Sequence, residues 1–187
     1  LYIMKTNRLS ETIFNALNAQ MTKEAQAAQV YLSLGAWADD KGYEGISKFL
    51  FKHANEERNH MMKILEYILD RGAKPVIEAI PAPGVPDPAT VQECFNDVFE
   101  QEVDNTTSIY KIVKLSLDEE DWATWNFMQW FVKEQVEEET LSLKLLDKIK
   151  IAGGAKATDE ALQTLDQELE HTPGSVTSAI DATQANP

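Results

Sequence analysis

The sequence is poor in the residues that staple small domains or interrupt helices. Its 187 residues include one cysteine, Cys94, together with eight glycines and seven prolines. A single cysteine excludes an intrachain disulfide and any cysteine-rich metal site. Few glycines and prolines argue against an all-β architecture, which needs many turns. A chain of this length makes one domain and can bury a large core without such staples.

Basic residues are also scarce. Seventeen lysines and arginines stand against 31 acidic residues, which gives a formal net charge of −14. This excess disfavours binding to nucleic acid or to an anionic membrane surface and favours the attraction of cations. No run approaches the roughly 20 apolar residues of a membrane-spanning helix, and the first residues do not resemble a secretory signal. We therefore expect a cytoplasmic protein that binds neither nucleic acid nor membrane.

Helical periodicity dominates the rest of the sequence. Apolar residues recur at steps of three and four, which predicts four long helices, over about 10–38, 46–71, 87–117 and 122–152. Asp87 and Pro88 are expected to cap and begin the third of these helices. A short fifth helix is predicted over about 158–170. We read residues 1–170 as one domain and residues 171–187 as a polar, mobile tail.

The lengths of the connections predict the topology. Short turns make the first and second helices antiparallel, and likewise the third and fourth. The second connection, at about 15 residues, can extend over about 50 Å, whereas a 28-residue helix is about 42 Å long. It can therefore cross the whole bundle. The expected fold is all-α: a four-helix bundle with one long crossover and a short fifth helix.

Acidic residues interrupt the apolar stripes near the middle of the helices, and five such positions stand out: Glu24, Glu57, Glu102, Glu134 and Glu138. Burying several unpaired carboxylates close together is prohibitive, and the stripes carry no lysine or arginine to neutralise them. These glutamates could face solvent or form buried salt bridges. Bound metal cations explain more economically why all four helices carry glutamates at apolar stripe positions.

The residue types suggest which metal would bind. Glu57 and His60 lie one helical turn apart, so both can reach one ion. Carboxylate-rich sites with one histidine suit iron, manganese or magnesium better than structural zinc. Four glutamates balance two divalent ions, which favours a di-iron redox centre. Tyr31 could hydrogen-bond a ligand or donate an electron, or it could be a core tyrosine. His53 is read as a core histidine, with support of a ligand as the alternative.

Taken together, these residues resemble a bacterial non-haem ferritin. The matching segments are Glu24 with Tyr31, HANEERNH (53–60), EQEVD around Glu102, and NFMQWFVKEQVEEE (126–139). The Gly-Gly pair after the fourth helix and the short fifth helix also match. The resemblance covers about residues 10–170.

The resemblance implies a ferroxidase centre that binds two irons per subunit. Glu24, Glu57 and His60 would hold the first iron, and Glu57 would bridge to a second iron held with Glu102 and Glu138. Tyr31 and Gln135 would complete the catalytic set. A third iron site would be formed by Glu56, Glu134, Glu137 and Glu138.

The same resemblance implies the biological setting. Fe(II) would be oxidised by oxygen or peroxide and stored as ferric mineral inside a homo-oligomeric cage of 24 subunits, with the fifth helix lining its four-fold axis. No haem is expected. A bacterioferritin-like protein, or a soluble di-iron oxidase without storage, is the alternative. Counting back from Gln135, Trp125 and Met128 would occupy the three-fold pore positions that are acidic in animal ferritins. We therefore expect a dry constriction at that axis.

Overall fold

The structure, a computed structural model, describes residues 5–84 and 87–171. Within these ranges the chain is helical and contains no strand. The helices are α1 (Glu11–Asp40), α2 (Glu44–Asp70), α3 (Val91–Asp118), α4 (Trp122–Ile151) and α5 (Asp159–Glu170), with a 3₁₀ turn at Gly154–Lys156. The predicted all-α bundle with a short fifth helix is confirmed. The predicted tail falls almost entirely on residues 172–187, which lie outside the described residues.

Side-chain caps and one glycine explain several of the helix ends. Ser10 accepts a hydrogen bond from the backbone N–H of Ile13 at the start of α1, and Thr158 does the same for α5. Such caps satisfy backbone donors that have no partner inside the helix. Gly72, just beyond α2, has a φ of 76°, which only glycine adopts without strain.

The start of α3 differs from the sequence prediction. The helix begins at Val91 with Thr90 as its N-cap, and not at Asp87–Pro88. Thr90 accepts from the N–H of Glu93, while the Glu93 carboxylate accepts from the N–H of Ala89. This exchange resembles a capping box and satisfies two donors at once, which explains why the helix starts here.

The long connection lies against α1. The side-chain amide of Asn18 donates to the carbonyl of Val76 at 3.0 Å and accepts from the N–H of Val76 at 2.8 Å. These two bonds anchor the crossover to α1. Beyond the crossover, α3 packs against α1 and α4. No helix in the two described ranges is both long and apolar enough to span a membrane.

The fifth helix docks on the beginning of α2. Leu165 and Leu169 are buried in the core, and Asp166 accepts a hydrogen bond from the N–H of Ile46 at 2.8 Å. A Cβ atom at Gly45 would lie 1.8 Å from the backbone oxygen of Asp166, so the approach requires glycine. The helix thereby places a carboxylate on the positive end of α2.

Two apolar clusters fill the bundle on either side of its middle. The N-terminal cluster is built around Leu9, Ile13, Leu17, Met21, Ile64, Ile68, Ile109, Ile112, Met128 and Phe131. The α5 cluster is built around Leu34, Ile46, Phe49, Leu50, Phe95, Val98, Leu145, Ile149, Leu165 and Leu169. Polar side chains lie between the two clusters. We call this middle layer the glutamate belt, defined by the five stripe glutamates, Glu56, His53 and His60.

Candidate metal centre

The five stripe glutamates are all buried, with exposures of 0–2% for Glu24, Glu57, Glu102, Glu134 and Glu138. The alternative that they face solvent is therefore wrong. No lysine or arginine is buried among the residues that the structure describes. The buried groups that can carry positive charge in this part of the chain are His53 and His60.

Glu24, Glu57 and His60 form one potential metal site, which we call the first triad. Each offers a ligand atom, and these atoms all lie within 4.8 Å of one another. Nδ1 of His60 is 3.4 Å from Oε2 of Glu57, and neither atom has a hydrogen-bond partner among the described residues. The helical spacing of Glu57 and His60 places both on one face of α2, and α1 supplies Glu24.

Two amide side chains that the sequence analysis did not select hold Glu24 in place. Oε1 of Glu24 accepts from Nε2 of Gln20 at 2.7 Å, and Oε2 accepts from Nδ2 of Asn105 at 3.1 Å. Gln20 and Asn105 also hydrogen-bond to each other at 2.6 Å. Gln20 lies one turn before Glu24, and Asn105 lies three residues after Glu102. The helical spacing of Gln20 from Glu24 and of Asn105 from Glu102 could therefore have identified both amides from the sequence.

Tyr31 and Gln135 contact the carboxylate of Glu102. The Tyr31 hydroxyl donates to Oε1 at 2.6 Å, and Nε2 of Gln135 donates to Oε2 at 3.1 Å. Burial, followed by the charges of Glu102 and Glu138, raises the pKa of Tyr31 well above its usual value. Tyr31 therefore stays protonated and can keep donating to Glu102. Of the roles considered for Tyr31, the structure contains the hydrogen bond to a predicted ligand, which is Glu102.

His53, Glu56 and Glu138 form a second potential site, the second triad, whose ligand atoms also lie within 4.8 Å of one another. Nε2 of His53 is 3.6 Å from Oε2 of Glu138 and 3.7 Å from Oε2 of Glu56. His53 was assigned to the core from the sequence. It is buried as expected, but its outer nitrogen faces two carboxylates rather than apolar neighbours.

Glu134 and Glu137 belong to neither triad. Oε1 of Glu134 lies 3.7 Å from Nε2 of His60, on the other side of that imidazole from Glu57. Glu137 is partly exposed and lies 3.8 Å from the ammonium group of Lys133. The structure thus brings Glu56 and Glu138 together, as the resemblance implies, with His53 as the third member of the group.

The electrostatics of the belt are those of crowded acids. Burial, followed by the charge of Glu138, raises the pKa of Glu102 to about 7. Burial, followed by the charge of Glu102, raises the pKa of Glu57 well above its usual value. Burial lowers the pKa of His60, but Glu57 and Glu134 outweigh it and raise the pKa well above 6.5. Bound cations would offset this repulsion, because a nearby positive charge stabilises the deprotonated, negatively charged form of each carboxyl group.

Known proteins match the sequence of the chain across the belt. The ferritin-like domain family matches residues 14–152, which contain both triads. The chain belongs to the ferritin family.

Curated ferritins show the same relationship over most of the chain. A probable bacterial non-haem ferritin-like protein of Haemophilus influenzae is 39% identical over 145 residues, which cover 78% of this chain and 87% of that protein. A bacterial non-haem ferritin of Staphylococcus saprophyticus is also 39% identical over 145 residues, covering 78% of this chain and 86% of its own.

Solved structures of ferritins share the fold. An open-pore ferritin from the hyperthermophilic archaeon Archaeoglobus fulgidus is 35% identical with a TM-score of 0.83, covering 88% of this chain and 98% of its own. A closed form engineered from it is 34% identical, also with a TM-score of 0.83, covering 89% and 99%.

In this ferritin-family chain, one expectation about the three-fold axis is wrong. Met128 is fully buried in the N-terminal cluster and contributes no surface that could line a pore between subunits. It lies three residues before Phe131 and seven before Gln135, spacings that keep all three on the same buried helix face. The place of Met128 on the buried face of α4 therefore decides where its side chain lies, and the pore position expected from counting back from Gln135 does not. Trp125 is partly exposed at the beginning of α4.

Proposed function

We propose that this chain oxidises Fe(II) at the glutamate belt and stores the product as ferric mineral in an oligomeric cage. One observation carries the proposal: five buried glutamates lie at one level of the bundle, with no buried lysine or arginine among the described residues. Two divalent cations would neutralise four such carboxylates. Membership of the ferritin family supports iron as the cation and oxidation as the reaction.

The first triad is our candidate for one iron, held by Glu24, Glu57 and His60. Glu102 and Glu138 would bind the other, with Glu57 shared between the two ions. The proximity of Glu57 and Glu102 supports this sharing, since the charge of Glu102 contributes to the raised pKa of Glu57. Iron is the substrate here, and the chain's part is to orient the carboxylates.

Tyr31, Gln135 and the Gln20–Asn105 pair would provide that orientation. Each donates a hydrogen bond to a carboxylate oxygen of Glu102 or Glu24. A ligand that is already oriented loses less conformational freedom when the ion arrives. Oxygen or peroxide would accept the electrons that Fe(II) releases.

Removal of the shared carboxylate tests the centre. Oxygen is admitted after anaerobic loading with Fe(II), and the initial rate of oxidation is followed by absorbance. We expect Glu57→Ala to lose at least about 100-fold in rate, since even supporting residues around a metal are worth 10- to 100-fold. Glu66→Ala is the matched control, because Glu66 is an exposed acid on the same helix. Equal rates in wild type and Glu57→Ala would refute the proposed centre.

Storage requires a cage as well as a centre. We propose 24 subunits and a cytoplasmic location, supported by the ferritin family and by the single cysteine. Sedimentation should then give about 500 kDa for 24 chains of 21.0 kDa. A monomer or dimer that still oxidises Fe(II) would instead indicate a di-iron oxidase that stores nothing.

A further inference from the structure

We infer that Thr106 and Glu139 are positioning residues for the two-iron centre, because together they fix which end of the Gln135 side-chain amide faces Glu102. The inference rests on the proposed function in treating Glu102 as an iron ligand. It gives a role to two residues outside the ligand set that the resemblance implies.

The four residues lie on two neighbouring helices. Glu102 and Thr106 are one turn apart on α3, and Gln135 and Glu139 are one turn apart on α4. Side chains four residues apart lie on the same side of a helix, so each helix contributes one pair. Hydrogen bonds join the two pairs where α3 packs against α4.

The amide nitrogen of Gln135 faces oxygen atoms. Nε2 donates to Oε2 of Glu102 at 3.1 Å, to the backbone oxygen of Glu102 at 3.2 Å and to Oγ1 of Thr106 at 3.2 Å. A backbone carbonyl and an ionised carboxylate can only accept, so both require the nitrogen end of the amide. The hydroxyl of Thr106 imposes no such requirement by itself, because a hydroxyl can accept or donate.

Glu139 decides how that hydroxyl is used. Oγ1 of Thr106 donates to Oε1 of Glu139 at 2.5 Å, a length typical of a hydroxyl bound to a charged carboxylate. A hydroxyl has one proton, so Thr106 can then only accept from Gln135. All three contacts of the amide nitrogen therefore require the same orientation of the Gln135 side chain.

The opposite orientation would work against the binding of a cation. If Thr106 were not bonded to Glu139, its hydroxyl could donate to the amide oxygen of Gln135 and stabilise a turned amide. A turned amide would place its oxygen beside the carboxylate of Glu102, where two acceptors would face each other without a proton. The hydrogen bond to Glu139 thus keeps Glu102 supplied with a donor and held in one direction.

Burial makes these bonds hard to replace. Gln135 and Glu102 are each 1% exposed, and Thr106 is 7% exposed. Water cannot readily take the place of a lost partner at such positions, so a missing hydrogen bond leaves a buried polar atom unsatisfied. Glu139 is partly exposed. The network therefore connects a carboxylate near the surface to a fully buried one in the glutamate belt.

The test measures Zn(II) binding to the apo assembly by anaerobic calorimetric titration. Thr106→Val keeps the shape of the side chain but loses the hydroxyl, and we expect it to weaken the binding step at Glu102 about 10-fold. Thr106→Ser keeps the hydroxyl and should retain the wild-type affinity. Thr107→Val is the matched control, because Thr107 is the next residue on α3 and its exposed hydroxyl bonds to Val103 of the same helix.

Removal of Glu139 should have the same effect from the other side of the network. We expect Glu139→Ala to weaken the same step about 10-fold. Asp147→Ala is its control, because Asp147 is an exposed acid on the same helix. An equal loss in Glu139→Ala and Asp147→Ala would mean that the charge of α4 matters and the contact with Thr106 does not, which would overturn the inference.

A double-mutant cycle separates positioning from packing. Gln135→Met removes the amide, which identifies the binding step at Glu102 and leaves nothing for Thr106 to orient. Thr106→Val should therefore cause no further loss in the Gln135→Met background. An equal loss with and without the amide, or no loss in Thr106→Val alone, would refute the assignment and leave the proposed function intact. A wild type that binds no cation would remove the proposed function and the inference with it.

The wild type alone supplies a second test if Thr106→Val does not fold. Neutron diffraction from wild-type apo crystals in heavy water locates the exchanged hydrogen atoms. We expect the hydroxyl deuterium of Thr106 to lie toward Glu139, and the two amide deuteriums of Gln135 to lie toward Glu102 and Thr106. A hydroxyl deuterium directed at Gln135 would overturn the inference.

Discussion

The glutamate belt and the two apolar clusters occupy the same four helices but differ in how their buried groups are satisfied. In the clusters, side chains such as Leu17, Leu50 and Phe95 are fully buried against one another. In the belt, equally buried atoms of Glu57 and His60 have no hydrogen-bond partner in the part of the chain that the structure describes. Packing therefore stabilises the fold from both ends, while the belt destabilises it until cations bind. The comparison teaches that burial alone does not identify a structural residue.

The largest effect on stability is expected from placing a carboxylate in an apolar cluster, outside the glutamate belt. Met128→Glu puts a carboxylate in the N-terminal cluster, an apolar cluster where no cation is expected. We expect a loss of about 3–5 kcal/mol of stability, or failure to fold, because an isolated buried charge has no compensation. Thermal unfolding measures it. Trp122→Glu, at an exposed position of the same helix, should change little. An unchanged Tm in Met128→Glu would contradict the burial argument.

Bound cations should remove much of the destabilisation that the belt causes and the apolar clusters do not. Zn(II) at 1,000 times its dissociation constant should stabilise the wild type by about 4 kcal/mol, since it binds the folded state. Scanning calorimetry of the apo and loaded protein measures this as a rise in Tm. Leu50→Ala should lower both values alike and keep the rise, because Leu50 lies in the α5 cluster. Glu57→Ala should diminish the rise. If Zn(II) left the wild-type Tm unchanged, the belt would not be a cation site.

The pH dependence of the apo protein should show the cost of the belt directly. The pKa of Glu102 is about 7 in the fold, against 4.5 as its ordinary value. The folded state thus holds a proton that the unfolded state has lost, so stability falls as pH rises from about 4.5 to 7. The loss from this group is about 3 kcal/mol at pH 8. The raised pKa values of Glu57 and His60 act in the same direction.

Melting curves of the apo protein between pH 5 and 8 test this sign. Glu102→Gln should flatten part of the slope, because its amide does not titrate but can still accept from Tyr31. With Zn(II) bound, the dependence should weaken or reverse, since binding displaces protons. An apo Tm that rises over this interval would show that the belt glutamates are not destabilised by their surroundings.

The smallest effect is expected where a neutral side chain supports a ligand. Asn105→Ala removes the hydrogen bond to Oε2 of Glu24 without removing any carboxylate. We expect Zn(II) to bind the first triad about 10-fold more weakly, the lower end of what such supports contribute. Calorimetric titration measures this, with the exposed Asn126→Ala on α4 as control. An unchanged affinity would mean that Asn105 packs beside Glu24 without orienting it.

Periodicity predicted the elements of this fold because helices repeat on a local scale. The apolar stripes located α1, α2, α4 and α5 to within a few residues. The short turns implied that α1 is antiparallel to α2 and that α3 is antiparallel to α4. The beginning of α3 was missed because two capping signals compete there. Asp87–Pro88 and Thr90–Glu93 both resemble starts, and only the second satisfies donors on both sides of its cap.

The sequence by itself determined that glutamates would lie on the buried faces of all four helices, since a 3.6-residue repeat assigns a residue to a face without any partner. The burial of Met128 was not among these determinations, because it was found only in the structure. Only the tertiary structure decided which buried groups meet. His53 of α2 faces Glu138 of α4, and Asn105 of α3 reaches Glu24 of α1 across 81 positions of chain. Such contacts depend on the rotation and axial offset of one helix against another, and packing of the complete bundle sets both.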